Sequence, residues 1–295
     1  LFHKYDFFIF DLDGTIYRGN KIIPLAAETI NQLKRLGKKF VFVSNKTTES
    51  DFDYYNFLKD SGFDIQVDQI ISATTVIKNY VRKNFPRTKF FAIAEEKFIE
   101  ELSNESLLFT TDPQQIKIVI VTLDRAFNDD KLEIAAKAIQ LGALFFAANI
   151  DETCPVENGE VMDAGSIISR LEKRTKRKLE LHFGKPSKFM IDEIRNRVNF
   201  EEEKTLIIGD RLETDIAMGK LMRIDTALVT TGVKNSFNGN NHITPTYYFN
   251  SVADLLSSNQ DKFHQHKTSF WSSTSIILHK ELGGYLWGLL KHLVI

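Results

Sequence analysis

An α/β fold built around a parallel sheet is predicted by three observations. Apolar, strand-like runs alternate with helical patterns, polar or acidic groups follow directly after several of those runs, and the outer segments of the chain complete one sheet without the middle. Together they describe a Rossmann-like, doubly wound core interrupted by a smaller α/β domain.

The elements follow in order. Phe7–Phe10 is aromatic and apolar, the composition of a buried strand, and ends abruptly in Asp11-Leu12-Asp13-Gly14. Pro24 suits the first turn of a helix reaching about Leu36, with Gly37 as its stop. Phe40–Val43 is the next strand, ending in Ser44-Asn45, and a helix from about Ser50 to Lys59 precedes Gly62. In the middle, Phe90–Ala94, Ile116–Thr122 and Ala143–Ala147 read as strands, and 95–102, 130–141 and 164–174 as helices. The last part brings the strand Thr205–Ile208, ending in Gly209-Asp210, then a helix over 214–222 and the strand Thr226–Val229. The expected division is a discontinuous core of residues 1–79 and 181–258, an inserted domain of 80–180 and an extension of 259–295. That extension contains a potential helix, Glu281–Val294, carrying Leu282, Trp287 and Leu290. Its apolar run is too short to span a bilayer, so it reads as a docking element or a non-native extension rather than a membrane anchor.

At 295 residues, with 43% hydrophobic and 26% charged side chains, the composition is that of an ordinary globular protein about two domains long. A net charge of −1 gives no basic field for nucleic acid. The basic run Lys173–Lys178 reads as a solvated helix end rather than a phosphate or nucleic-acid site. The single Cys154 excludes an intrachain disulfide framework, and no secretory signal pattern precedes Asp11. Both point to a reducing, cytoplasmic setting.

The chemistry is concentrated after the first strand. In extended backbone, residues two apart share a side, so Asp11 and Asp13 can face one point. Two like charges held together repel unless a cation or proton lies between them. At the carboxyl end of a strand, where open α/β sheets bind ligands, such a pair points to a hard-metal site with a nucleophilic carboxylate. A calcium loop of the EF-hand type is excluded, because Thr15-Ile16-Tyr17 does not continue the ligand pattern.

Four segments in order, Asp11-Leu12-Asp13-Gly14-Thr15, Ser44-Asn45, Gly184-Lys185-Pro186 and Gly209–Asp215, resemble the haloacid dehalogenase-like superfamily of aspartyl-phosphate phosphatases. Asp13–Gly19, Leu123–Phe127, Asn149-Ile150-Asp151 with Pro155, and Val229–Val233 further resemble its NagD/4-nitrophenylphosphatase branch, and the likeness covers about residues 5–258. The resemblance implies a Mg²⁺-dependent phosphatase of small phosphorylated metabolites, with the inserted domain acting as a cap. It implies Asp11 as nucleophile, and Asp13 as the acid that protonates the leaving alkoxide and then the base for water, which calls for a raised Asp13 pKa. The Asp11 carboxylate, the Asp13 carbonyl and Asp210 become metal ligands, with Asp215 orienting the metal's waters. Asp215 also reads as a simple helix N-terminal charge. Ser44, the Asn45 N–H and Thr15 become phosphate contacts, and Lys185 neutralises phosphate and Asp11. Asn149 and Asp151 are cap candidates for substrate contact, or residues that only shape a turn. Pairing of two chains through the cap is a further expectation of the resemblance.

The chain departs from the branch at Lys46, where a small polar residue is usual, at Val161–Ser166, and at Gly219–Arg223. These changes bear on substrate choice and remove no catalytic group. A non-catalytic binding module on the same scaffold, with the C-terminal segment as its docking element, is the alternative. The presence of Asp11, Asp13, Lys185 and Asp210 argues against it.

Overall fold

A computed structural model describes residues 3–105, 107–156, 159–233 and 243–256. The extension 259–295, with its expected helix, lies outside the described residues.

The chain begins with β1 (Phe7–Asp11), a small hairpin of β2 (Tyr17–Arg18) and β3 (Lys21–Ile22), α1 (Ala26–Arg35), β4 (Lys39–Ser44), α2 (Asp51–Asp60), β5 (Ile70–Ser72) and α3 (Ala73–Asn84). A second block holds β6 (Lys89–Ile93), α4 (Glu96–Ser103), β7 (Leu108–Phe109), β8 (Ile118–Val121), α5 (Asp129–Gln140) and β9 (Leu144–Ala147). It closes with the hairpin β10 (Thr153–Val156) and β11 (Gly159–Met162), then α6 (Ala164–Thr175) and β12 (Leu181–His182). The chain returns through α7 (Lys188–Arg197), β13 (Thr205–Gly209), a π-helical turn (Leu212–Ile216), α8 (Ala217–Met222), β14 (Asp225–Val229) and β15 (Tyr247–Phe249).

Both large sheets are parallel. The core sheet has the order β15-β14-β13-β1-β4-β5 and the cap sheet β12-β9-β8-β6-β7. In the core sheet the chain steps outward from β1 through β4 to β5, then returns beside β1 and steps the other way. The strand order therefore reverses at β1, and a crevice opens there at the strands' carboxyl ends. Every residue of β1 and β13 is buried, which is why both read as unbroken apolar runs.

Local signals explain most element ends. Ser50 caps α2 with a reciprocal pair: its Oγ accepts from Asp53 N at 3.1 Å while Ser50 N donates to Asp53 Oδ2 at 2.8 Å. Gly37 and Gly62 lie at φ +69° and +90°, conformations that stop the preceding helices at little cost. α1 starts at Ala26 rather than Pro24 because Leu25 takes a left-handed conformation. The expected helix 214–222 is instead a π-helical turn followed by α8 from Ala217. The expected boundary at 79–80 falls inside α3, and Leu181–His182 pairs with Phe146–Ala147 in the cap sheet, just beyond residue 180. The basic run pairs on the surface, Arg174 with Glu133 at 2.9 Å and Lys178 with Glu172 at 2.6 Å, as a solvated helix end would. Among the described residues no helix is long and apolar enough to cross a membrane.

Candidate active site

Three adjacent core strands each end in a polar side chain: β1 in Asp11, β4 in Ser44, and β13, through Gly209, in Asp210. After β1 the chain folds back at once. Ile16 N donates to Leu12 O at 2.8 Å and Gly14 N to Tyr17 O at 2.6 Å, so Asp13 is held beside Asp11. Gly14 lies at φ +95°, and a Cβ there would run into the Asp210 carboxylate and the Gly232 backbone. That position is therefore closed to side chains twice over.

Lys185 is delivered from the far side by the segment following β12. Its ammonium is 3% exposed and donates to Asp11 Oδ1 at 2.5 Å, Asp215 Oδ1 at 2.7 Å and Val43 O at 3.3 Å. A lysine has three donors, and these contacts use all of them. Burial alone would lower the Lys185 pKa, but Asp11 and Asp215 more than reverse this and keep the ammonium charged.

Asp11, Asp210 and Asp215 form the one metal-type cluster among the described residues, with an oxygen from each lying within 4.8 Å of the others. Both Asp215 oxygens are occupied by donors, Oδ1 by Lys185 and Oδ2 by Arg211 N at 3.1 Å. The π-helical turn makes this possible by swinging Asp215 back toward the strand end, a common use of such turns at working sites. Asp210 Oδ2 accepts from Val233 N at 2.8 Å. Asp11 Oδ2, Asp13 Oδ1 and Thr15 Oγ1 are buried without a hydrogen-bond partner. Orphaned hard oxygens beside an all-carboxylate cluster fit a divalent ion such as Mg²⁺.

The electrostatics agree with that fit. Burial pushes Asp11 well above the usual carboxylate range; Lys185 opposes it, and Asp215 and Asp210 add to it. Burial, together with Asp215, pushes Asp210 up to about 7. Asp13 is also raised by burial, with Lys46 pulling the other way. A cation would relieve each of these penalties.

The cap joins the core through Asn45. Its Oδ1 accepts from Lys185 N at 2.6 Å, and its Nδ2 donates to Lys185 O and to Asp151 Oδ2, each at 3.1 Å. Asn149 Nδ2 in turn donates to Asn45 O at 2.9 Å. Asn149 and Asp151 thus reach the site, and both hold Asn45.

Two groups were not singled out from sequence. The Arg211 guanidinium donates to Thr153 O at 3.0 Å across the cleft, amid Asp151, Asp210, Asp11 and Asp215. Asp163, on the cap wall, is buried and pushed up to about 7 by burial and by Asp151. The only hint in the sequence was position: Arg211 lies inside the Gly209–Asp215 segment and Asp163 inside the altered 161–166 run. The cleft lined by these groups holds about 40 Å³ of open space. A roomier cavity of about 830 Å³ lies at the ends of β6 and β8. Its Arg125 pairs with Glu95 and its Lys131 with Asp124 at 2.6 Å.

Comparison with known proteins returns one family at both ends of the core. A haloacid dehalogenase-like hydrolase family model matches residues 8–107, and a HAD-hydrolase-like model matches residues 182–255. The chain is 32% identical over 248 residues to sugar-phosphatase AraL of Bacillus subtilis (strain 168), covering 84% of this chain and 90% of that protein. It is similar in structure to a p-nitrophenyl phosphatase from Archaeoglobus fulgidus, with a TM-score of 0.79, 31% identity, and coverage of 86% of this chain and 98% of that one. It is also similar to a glycerol phosphate phosphatase from Mycobacterium tuberculosis solved in complex with magnesium, with a TM-score of 0.75, 25% identity, and coverage of 86% and 77%.

Proposed function

The chain belongs to the haloacid dehalogenase-like hydrolases, in the NagD/4-nitrophenylphosphatase branch, and is a phosphatase; from that premise we propose that it hydrolyses small phosphorylated metabolites with Mg²⁺ through an aspartyl-phosphate. The observation that carries this reading is the state of Asp11. One oxygen is held by the buried Lys185 ammonium at 2.5 Å, while the other is buried without a partner. That is a nucleophile fixed in orientation with its second oxygen open.

In the first half-reaction Asp11 Oδ2 attacks phosphorus and the ester P–O bond breaks. Asp13, whose carboxyl is raised by burial, gives its proton to the departing oxygen. In the second, Asp13 takes a proton from water, whose oxygen attacks the acyl phosphate and returns Asp11 as carboxylate. Lys185 holds the Asp11 side chain in place through both steps. Ser44, Thr15 and the Asn45 N–H are the groups available to the phosphoryl oxygens. The Asp11 and Asp210 carboxylates and the Asp13 carbonyl are the groups that would hold Mg²⁺, with Asp215 behind them. The ion would neutralise charge between nucleophile and ester and on the transferring phosphoryl group. The cap, tied down through Asn45, Asn149 and Asp151, shields the acyl phosphate from bulk solvent and leaves room only for the water that Asp13 activates.

The relatives act on different esters by name, so the fold alone does not choose the substrate. The single cysteine supports a reducing, cytoplasmic setting. Pairing of two chains through the cap belongs to the same reading and is read directly from mass in solution. The central test is phosphate release from p-nitrophenyl phosphate. Chelation should abolish it and added Mg²⁺ restore it, and Asp11→Asn should lower kcat by about a thousandfold or more. Turnover left unchanged in Asp11→Asn would overturn the covalent route.

A further inference from the structure

Resting on the phosphatase reading above, we propose that Lys46 determines specificity. Its ammonium receives a second anionic group, such as a carboxylate, carried by a compact leaving group close to the ester oxygen.

Among the described residues three cations line the cleft, Lys46, Lys185 and Arg211, and two are committed. Lys185 spends its donors on Asp11, Asp215 and Val43. Arg211 bonds Thr153 O and stands among four carboxylates. Lys46 differs. Its backbone is fixed, the N–H donating to Ser44 Oγ at 3.2 Å and the carbonyl accepting from the Tyr54 hydroxyl at 3.4 Å. Its ammonium lies 6.0 Å from the Tyr17 ring centre and reaches Asp13 Oδ2 only at 3.4 Å, with the side chain 25% exposed. A strong charge-assisted bond is nearer 2.7–2.9 Å. The charge is therefore aimed into the cleft but only loosely engaged.

Its position fixes what it meets. Asp13 serves the oxygen of the leaving group, so a cation beside Asp13 faces that group, while Lys185, bonded to Asp11, meets the phosphoryl. The open space is about 40 Å³, and one water needs roughly 10–15 Å³ on that measure. With the cap in this position the cleft is narrow, which favours a compact leaving group. The cap wall carries Asp151 and Asp163, but these are held by Asn45 Nδ2 and Ala164 N, with Arg211 facing them. The core wall, through Lys46, is where a second anion is received. A lysine suits this task, since it acts as a point charge on a flexible stem and tolerates a range of anion positions.

The test uses two esters alike in size, 2-phosphoglycolate and its uncharged amide. The wild-type enzyme should favour the acid by about tenfold or more in kcat/KM, the scale of one hydrogen bond between charged groups. In Lys46→Met that ratio should fall toward one, mainly through a higher KM for the acid, and Lys46→Arg should keep part of the preference. No preference in the wild type, or equal losses on both esters in Lys46→Met, would overturn the proposal and leave Lys46 as a neighbour of Asp13 alone. If neither ester is turned over, phosphate release from p-nitrophenyl phosphate decides separately whether the phosphatase reading holds. Calorimetric binding of the same two compounds then decides the role of Lys46: a selective loss of affinity for the acid in Lys46→Met supports it, and equal affinities refute it.

Discussion

Asp163 does two things at the start of α6. Its Oδ1 accepts the Ala164 N–H at 2.6 Å, and its burial beside Asp151 pushes the carboxyl up to about 7. Between the unfolded value of about 3.9 and that folded value, the folded chain holds a proton that the unfolded chain has lost. The stabilising contribution is present below the lower value and is lost as pH rises through the upper one, so above pH 7 the charged side chain penalises the fold. Asp163→Asn keeps a good helix cap and removes the charge. It should raise the thermal midpoint at pH 8 by several degrees and by clearly less at pH 5, where only about a third of the penalty has developed. A shift equal at both pH values would show that the charge is not the cause. The same residue marks the limit of what the sequence reveals about the site. Asp11, Asp13, Ser44 and Asp210 are legible because each follows an apolar strand run, and Lys185 because its motif is matched in order. Arg211 and Asp163 are not, because their roles depend on partners brought by folding: Arg211 meets Thr153 across 58 residues of chain.

Among the elements, α8 lies closely against the core sheet at Gly219. A Cβ there would overlap Thr226 Cγ2 of β14 and Ile207 Cγ2 of β13. Gly219→Ala should therefore destabilise by about 1–3 kcal/mol through overpacking, despite the better helix propensity of alanine. Urea unfolding should show a lower midpoint with an unchanged slope; a stabilised variant would mean that α8 shifts freely. This contact also accounts for part of the altered 219–223 run: the glycine is placed where the helix meets the sheet. Elements with long periodic patterns and clear caps, such as α2, α5 and α6, were legible to within a residue or two. The short strands were not. Ile70–Ser72, Leu181–His182 and Tyr247–Phe249 are two or three residues long, so no alternation can develop, and each exists because a neighbouring strand supplies its partner. The π-helical turn is not legible for a related reason, since the partners that accompany it, Lys185 and Arg211 on Asp215, come together only in the fold.

Across the whole molecule, each sheet keeps an apolar cluster of its own on one face, and a third cluster is shared between them. The shared cluster runs from Phe7 and Ile9 in β1 and Val41 in β4, through Val76 and Ile77 in α3, to Phe90 in β6 and Ile118 in β8. Aromatic rings close the seam. Phe183, in the link from cap to core, lies 4.9 Å from Tyr80 of α3, 4.6 Å from Phe189 of α7 and 5.8 Å from Phe146 of β9, between ring centres. A cleft of about 40 Å³ requires the cap to open for larger substrates. The aromatic clasp is the natural fulcrum, because the polar ties through Asn45 and Arg211 exchange readily with water while the clasp does not. Core and cap should then unfold together, in one calorimetric transition whose measured enthalpy matches its van't Hoff value. Phe183→Ala removes a fully buried ring at a cost of about 3–5 kcal/mol and should broaden or split that transition. Two well-separated transitions in the wild type would show instead that the cap is stable on its own and the shared cluster does not couple it to the core.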